Sequence, residues 1–218
     1  SALGNEAPRL PAAPAPGGEW PLPMPSDLQA QVLRWSEAAG GTPFPLLLSA
    51  YGLALQAVFG EAYRFVATPF SRRTEPELVE PLAYWIDVRL LEAGARPGET
   101  AGAACLRVMR QVQDAQAPGF QSLGQLASRW AGDPQRTAQL TPHLTQFAFT
   151  WRLDSERELN LGTLSARLLR VPQQTARYSL CLHVARVDGQ MVCSIEAVQL
   201  AHDNGVVAAV GQAFQQAL

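Results

Sequence analysis

Lysine is absent from this 218-residue chain, and all 17 of its basic residues are arginine. Whatever the fold, the chain therefore has no Schiff-base amine, no pyridoxal anchor and no phosphate-loop lysine. The accompanying wealth of Ala, Arg, Gly and Pro is the composition of a GC-rich coding sequence, which accounts for the missing lysine without functional selection. Strong charge of one sign is lacking too: the formal net charge is -2 and the charges form no blocks, which argues against a nucleic-acid partner. Residues 1–104 carry 7 Arg against 11 acids and residues 105–218 carry 10 Arg against 8, so the second half is slightly positive. No apolar run approaches the roughly 18 to 20 residues needed to cross a bilayer. The first residues also lack the charged-then-apolar pattern of a secretory signal, so the expectation is a cytoplasmic chain with no membrane partner. The three cysteines, Cys105, Cys181 and Cys193, lack metal-ligand spacing and suit free thiols in a reducing compartment. His143, His183 and His202 are widely separated, and no trio with zinc spacing includes them.

At 47% hydrophobic residues the chain can bury a substantial core as one domain or one large lobe. Residues 7–25 hold seven prolines among Ala and Gly, which predicts an extended connector over residues 1–25 and a domain proper over 26–218. Ser26-Asp-Leu-Gln reads as a capping box opening an amphipathic helix with Leu28, Val32, Trp35 and Ala39 on its face. Thr42 and Pro43 open a second helix running to Phe59, apolar nearly all round and therefore central. Further helices are expected at 100–116, with Ala101, Cys105, Val108 and Val112 inward, at 122–130, and after a cap at Asp203. Strands are expected at 64–70, 83–91, 144–153 and 161–170. A hairpin follows, turning at Asp188-Gly189, with Val184 opposite Cys193, Leu182 opposite Ile195 and Leu180 opposite Ala197. The order predicts an α/β layer architecture with a mixed, mostly antiparallel sheet against helices.

Several segments occur in the order of known motifs. Thr42-Pro-Phe-Pro-Leu-Leu-Leu, Phe65-Val-Ala-Thr-Pro-Phe-Ser-Arg-Arg, Leu82-Ala-Tyr-Trp-Ile-Asp-Val-Arg-Leu-Leu, Pro142-His-Leu-Thr-Gln-Phe and Ala176-Arg-Tyr-Ser-Leu-Cys-Leu-His stand colinear over residues 26–218. This series resembles the C-terminal lobe of the condensation domains of nonribosomal peptide synthetases, which have a chloramphenicol-acetyltransferase-like fold. The resemblance implies one such lobe, with the catalytic His-His-x-x-x-Asp-Gly motif on an N-terminal lobe outside this sequence. Polar motif positions have drifted, with Asp87 for Asn, Gln121 for Glu and Ser179 for Asp, and Ala83 departs in size from Gly, while the apolar framework persists.

The resemblance points to Thr68, Ser71, Arg72, Arg73, Asp87 and Gln146 as substrate or carrier contacts, with no catalytic residue and no metal on this chain. Arg72 and Arg73 suit the phosphate of a phosphopantetheine arm or an acidic carrier protein, and equally an ion pair with Glu75, Glu77 or Glu80. His183 reads as a hydrogen-bonded structural histidine with no carboxylate specified nearby, and Asp203 beside His202 as a cap. The expected role is a truncated or isolated lobe, inactive alone, that is structural or docks a peptidyl carrier protein beside neighbouring synthetase domains. The alternative is half of a competent enzyme that forms an amide between a carrier-bound acyl thioester and an amine. No cofactor is expected on the chain itself, phosphopantetheine belonging to the partner carriers. A lobe without its partner would expose an apolar patch near Trp85 and the 144–153 strand, met by the N-terminal lobe or by self-association.

Overall fold

The computed structural model describes residues 10–11, 13–73, 80, 83, 85–117, 119–152, 158–167, 173–187 and 189–218. The elements run β1 (Ala15–Leu22), α1 (Ser26–Ala38), α2 (Pro43–Phe59), β2 (Phe65–Ser71), β3 (Ile86–Glu92), α3 (Ala101–Gln116), α4 (Leu123–Ala131), α5 (Pro134–Leu144), β4 (Phe147–Arg152), β5 (Glu158–Leu161), β6 (Leu164–Arg167), β7 (Thr175–Ala176), β8 (Leu180–Val187), β9 (Gln190–Val198), α6 (Gln199–Asp203) and α7 (Val206–Ala217). Seven strands form one sheet in the order β3-β2-β4-β8-β9-β1-β7, and β5-β6 is a separate ribbon. The β2–β4 and β4–β8 pairs are parallel and the rest antiparallel, the mixed α/β lobe expected. Among the described residues no single helix is long and apolar enough to cross a membrane.

Pro43 at the first position and Gly60, at φ 101°, bound α2, while Thr42 holds the cap position without the expected side-chain capping bond. It packs against α1, α3 and α7 and against β4, and its Leu47, Leu48, Tyr51 and Leu55 are fully buried. The β8–β9 hairpin has the expected register, with Val184, Leu182 and Leu180 opposite Cys193, Ile195 and Ala197. Those residues join Phe147 and Phe149 of β4 in the core beneath the helices.

Other expectations are corrected. Ala15–Leu22, within the stretch read as connector, is β1, paired with β9 from Gly17 to Leu22. Proline's extended backbone also suits an edge strand, and β1 meets β7 only at Ala15 and Pro16. The capping box at Ser26 does not form. Pro25 is the cap residue, while Gln29 donates to the Met24 carbonyl at 2.8 Å and accepts the Met191 N–H at 2.9 Å, so a tertiary bond displaces the local one. On α1 the buried residues are Val32 and Ser36, and Trp35 is 65% exposed. On α3 Ala104 and Ala115 replace Ala101 and Cys105 beside Val108 and Val112.

The helix α5 lies partly where a strand was expected to begin. Asp133, which accepts the Arg136 N–H, and Pro134 at the first position were its unread start signal. The strand expected at 161–170 divides between β5 and β6. Asp203 ends α6, and Gly205 at φ 74° precedes α7. The expected positions Glu75, Glu77, Leu82, Tyr84, Leu153, Arg170 and Asp188 lie outside the described residues. Of the expected apolar patch, Phe147 and Phe149 are buried and Trp85 and Trp151 half-buried, while Ile86 beside Trp85 is exposed, as are Phe65 and Trp130.

The second face of the sheet carries a small apolar patch, Ala67, Ala148 and Cys181, and beside it a buried polar chain. His183, only 3% exposed, lies with Nε2 3.1 Å from Glu196 Oε2 and Nδ1 2.5 Å from Thr150 Oγ1. An ionised carboxylate only accepts, so Nε2 carries the hydrogen that bonds Glu196. A carboxylate partner for His183 therefore exists, supplied across the hairpin by β9. Glu196 also accepts the Arg177 N–H at 2.6 Å. Burial by itself would raise its pKa, but the hydrogen bonds from His183 and Arg177 outweigh this and hold it below the usual carboxylate value. Burial pushes the Cys181 thiol well up, which keeps it neutral.

The tightest packing lies where α2 passes the segment between β3 and α3. A Cβ on Gly52 would overlap the backbone of Ala93 and Gly94. That segment is pinned: Gln56 exchanges two hydrogen bonds with Ala95, at 2.8 and 2.7 Å, and Arg107 donates to the Glu92 and Gly94 carbonyls, both at 2.5 Å. Glu99 completes the clamp at 2.9 Å from Arg107, and its carboxyl is lowered to about 2, chiefly by that hydrogen bond.

Gly52→Ala is expected to destabilise the fold by about 2 kcal/mol or more through overpacking, although helix propensity alone would favour alanine by about 1 kcal/mol. Urea unfolding midpoints measure the sign. Glu196→Leu should cost about 3 kcal/mol because it strands the His183 and Arg177 donors, and Glu196→Gln less. Since the Glu196 pKa is lower folded than its reference of 4.5, its contribution is fully present above about pH 4.5 and is lost as pH falls through the folded value. The stability of Glu196→Gln should therefore fall less on acidification, read as the pH dependence of the thermal midpoint.

Candidate functional site

Antiparallel pairing of β2 with β3 brings most of the sequence-chosen residues to one end of the sheet. Thr68 lies opposite Arg89, Phe70 opposite Asp87 and Ser71 opposite Ile86. Directly opposed residues share a face, so Thr68, Phe70, Asp87 and Arg89 stand together on the side that carries the helices. Asp87 lies between two guanidinium groups, its Oδ2 3.9 Å from Arg72 Nε and 4.0 Å from Arg89 Nη2. Ser71 is exposed, and its hydroxyl accepts the Arg73 N–H at 3.2 Å, which turns the chain out of β2. Arg72 donates its backbone N–H to the Trp85 carbonyl at 2.9 Å, and the Arg73 guanidinium reaches the Ala83 carbonyl at 3.4 Å.

Gln146 does not join them. It precedes β4 beyond the other end of β2 and lines a separate groove of about 360 Å3 with Tyr63, Phe65, Trp130 and His143. Its backbone carbonyl accepts the Leu180 N–H at 3.1 Å.

Arg89 was missed from the sequence, although Asp87 and Arg89 alternate along one strand and so share a face. Its guanidinium lies 5.2 Å from the ring centroids of both Phe70 and Phe120, and the residue is 7% exposed. Among the described residues four buried side-chain polar atoms have no hydrogen-bond partner: Ser49 Oγ, Thr68 Oγ1, Arg89 Nε and Arg89 Nη1. Three of the four thus belong to one cross-strand pair. Burial lowers the Arg89 pKa, Asp87 raises it and Arg72 lowers it further. The guanidinium stays protonated, so this end of the sheet carries a buried positive charge at Arg89 with Asp87 and the more exposed Arg72 beside it.

The histidines stand elsewhere. His202 stacks on Trp20 at 4.3 Å with planes 10° apart, and its Nδ1 lies 3.4 Å from Asp203. Thr150, His183 and Glu196 have the order of a hydroxyl–imidazole–carboxylate relay. They lie on paired strands inside the sheet, where ladder bonds engage the backbone N–H groups that an oxyanion would need, so the arrangement is structural. Among the described residues no group of three His, Cys, Asp or Glu could hold a metal ion.

No protein-family model matches the chain. Phosphinothricin tripeptide synthetase PhsC of Streptomyces viridochromogenes is 24% identical over 181 residues, covering 81% of this chain but 16% of that protein. Among solved structures, the four-domain nonribosomal peptide synthetase holo-AB3403 superposes with a TM-score of 0.75 at 15% identity, over 97% of this chain and 18% of its own. VibH, a condensation enzyme of nonribosomal peptide synthesis, gives 0.68 at 12% identity, over 97% and 50%. The condensation domain of the monacolin K polyketide synthase MokA gives 0.66 at 13%, over 98% and 52%. The chain spans about half of VibH and of the MokA domain, and it has the fold of a single condensation-domain lobe.

Proposed function

We propose that this chain is the C-terminal lobe of a nonribosomal peptide synthetase condensation domain, inactive alone, that acts as scaffold and as docking surface for a peptidyl carrier protein. The observation that carries this reading is the match of nearly the whole chain to about half of VibH and of the MokA domain. The chain's three histidines support it, since none is adjacent to another. Thr68, Ser71, Arg72, Arg73 and Asp87 are the proposed contacts for substrate or carrier, and Gln146 lines a second groove. Phosphopantetheine would arrive on the carrier. Residues 15–218 would form the lobe, since β1 pairs with β9 inside its sheet. Its cysteines, all free thiols, suit the cytoplasm.

A second reading is favoured by the unpartnered donors of Arg89 and Thr68. Buried donors without acceptors are rare in complete domains. Their clustering fits a lobe whose facing group, on an N-terminal lobe or on substrate, comes from outside this chain. In that reading the lobe lines one side of the reaction channel of an amide-forming enzyme.

Amide formation from two loaded carrier proteins distinguishes the readings. The chain alone is expected to give no turnover, and turnover would overturn the first reading. Turnover restored by adding a separately produced N-terminal lobe would establish the second. Arg73→Glu should weaken carrier binding by about five-fold or more at low salt and less at high salt, measured by titration calorimetry.

A further inference from the structure

Helices α1 and α3 lie on either side of α2 and leave a cleft of about 210 Å3 between them. Its walls are apolar, with Leu46 and Leu53 of α2, Leu106 and Met109 of α3 and Trp35 of α1, and no side chain lining it carries a formal charge. Trp35 is 65% exposed and Leu106 54%, so the rim is open and apolar.

One polar group at the cleft is unsatisfied. Ser49 is 1% exposed, lines the cleft, and its Oγ has no hydrogen-bond partner. A buried helix serine ordinarily bonds back to the carbonyl four residues earlier. Ser36, on the opposite wall, does so, donating to the Val32 carbonyl at 2.7 Å. Ser49 shares its environment but not its bond, and an unmet buried hydroxyl is unfavourable unless something else meets it. An apolar concavity with one such polar group is the form of a small-molecule site.

We infer that this cleft binds an uncharged, mainly hydrocarbon molecule bearing one hydrogen-bonding oxygen, which pairs with Ser49 Oγ. No side chain in the lining supplies a positive counter-charge, so the desolvation of a carboxylate ligand would go unoffset. The rim discriminates little among chain shapes, whereas Ser49 selects for an oxygen within the apolar body. The site is independent of the Arg72–Asp87–Arg89 end of the sheet and does not depend on the role proposed for the lobe.

The cleft carries its own reporter. Cys105 lines it and is half-buried, while Cys181 and Cys193 are 0% and 2% exposed. Alkylation of the folded chain by N-ethylmaleimide at mildly alkaline pH therefore reads Cys105, with Cys105→Ser as the control for label at the other thiols. The probe is hexan-1-ol, compared with hexanoate as the charged analogue of equal length. Hexan-1-ol should slow labelling saturably by several-fold, and hexanoate should not. Ser49→Ala, which helix propensity favours, should fold and weaken hexan-1-ol about five-fold, the loss of one hydrogen bond. Ser49→Leu should fill the cleft and abolish protection.

The inference is overturned if hexan-1-ol gives no saturable protection, if hexanoate protects equally, or if Ser49→Ala binds as well as the unmodified chain. It is overturned as well if Cys105 is already shielded without ligand in a dimer seen by sedimentation, because the cleft is then an interface between copies.

Discussion

The structure depends on burying α2 on every side. A helix apolar around its whole circumference has no face to give to water, so it must be enclosed by the sheet below and by α1, α3 and α7 around it. That demand explains features distant in sequence. Gly52 is glycine because the segment after β3 crosses the helix at backbone contact. The Arg107 clamp and the Gln56–Ala95 pair exist to hold that segment down, since its polar backbone would otherwise face a hydrocarbon surface. Ser49 and the cleft above it mark where the enclosure is incomplete.

The sheet beneath solves a different problem on each face. On the helix side large residues interlock, with Phe147, Phe149, Leu182 and Ile195 fully or nearly fully buried. On the other side the buried residues are small or polar, Ala67, Ala148, Cys181, His183 and Glu196. Such groups tolerate burial only with partners in place, and the Thr150–His183–Glu196 chain joins β4, β8 and β9 by three side chains. A slip of one residue between β8 and β9 would separate His183 from its carboxylate and turn the apolar row outward at once, so polar and apolar groups specify the same register.

Polar satisfaction is uneven across the molecule. The clamp of Arg107, Glu92 and Glu99 is fully paired, whereas Arg89 and Thr68, on the neighbouring strand pair, are not. The contrast gives the β2–β3 end its character: the chain folds without completing it.

Much was legible in the residues alone. The Pro43 start and the unbroken apolar run determined α2, because a fixed φ and circumferential hydrophobicity are local properties. The β8–β9 register was legible for a similar reason, since a two-residue turn and period-two alternation over-determine a hairpin. Thr68, Asp87 and Arg72 could be chosen, but not the ion pairing of Asp87 with Arg72 and Arg89, which needs β2 and β3 side by side. Only the tertiary structure decided the rest. Gln29 left its capping box for Met191, the proline-rich segment became the strand β1, and His183 acquired Glu196. In each case the partner lies on another element, and a contact between elements is set by packing geometry, which local sequence does not encode.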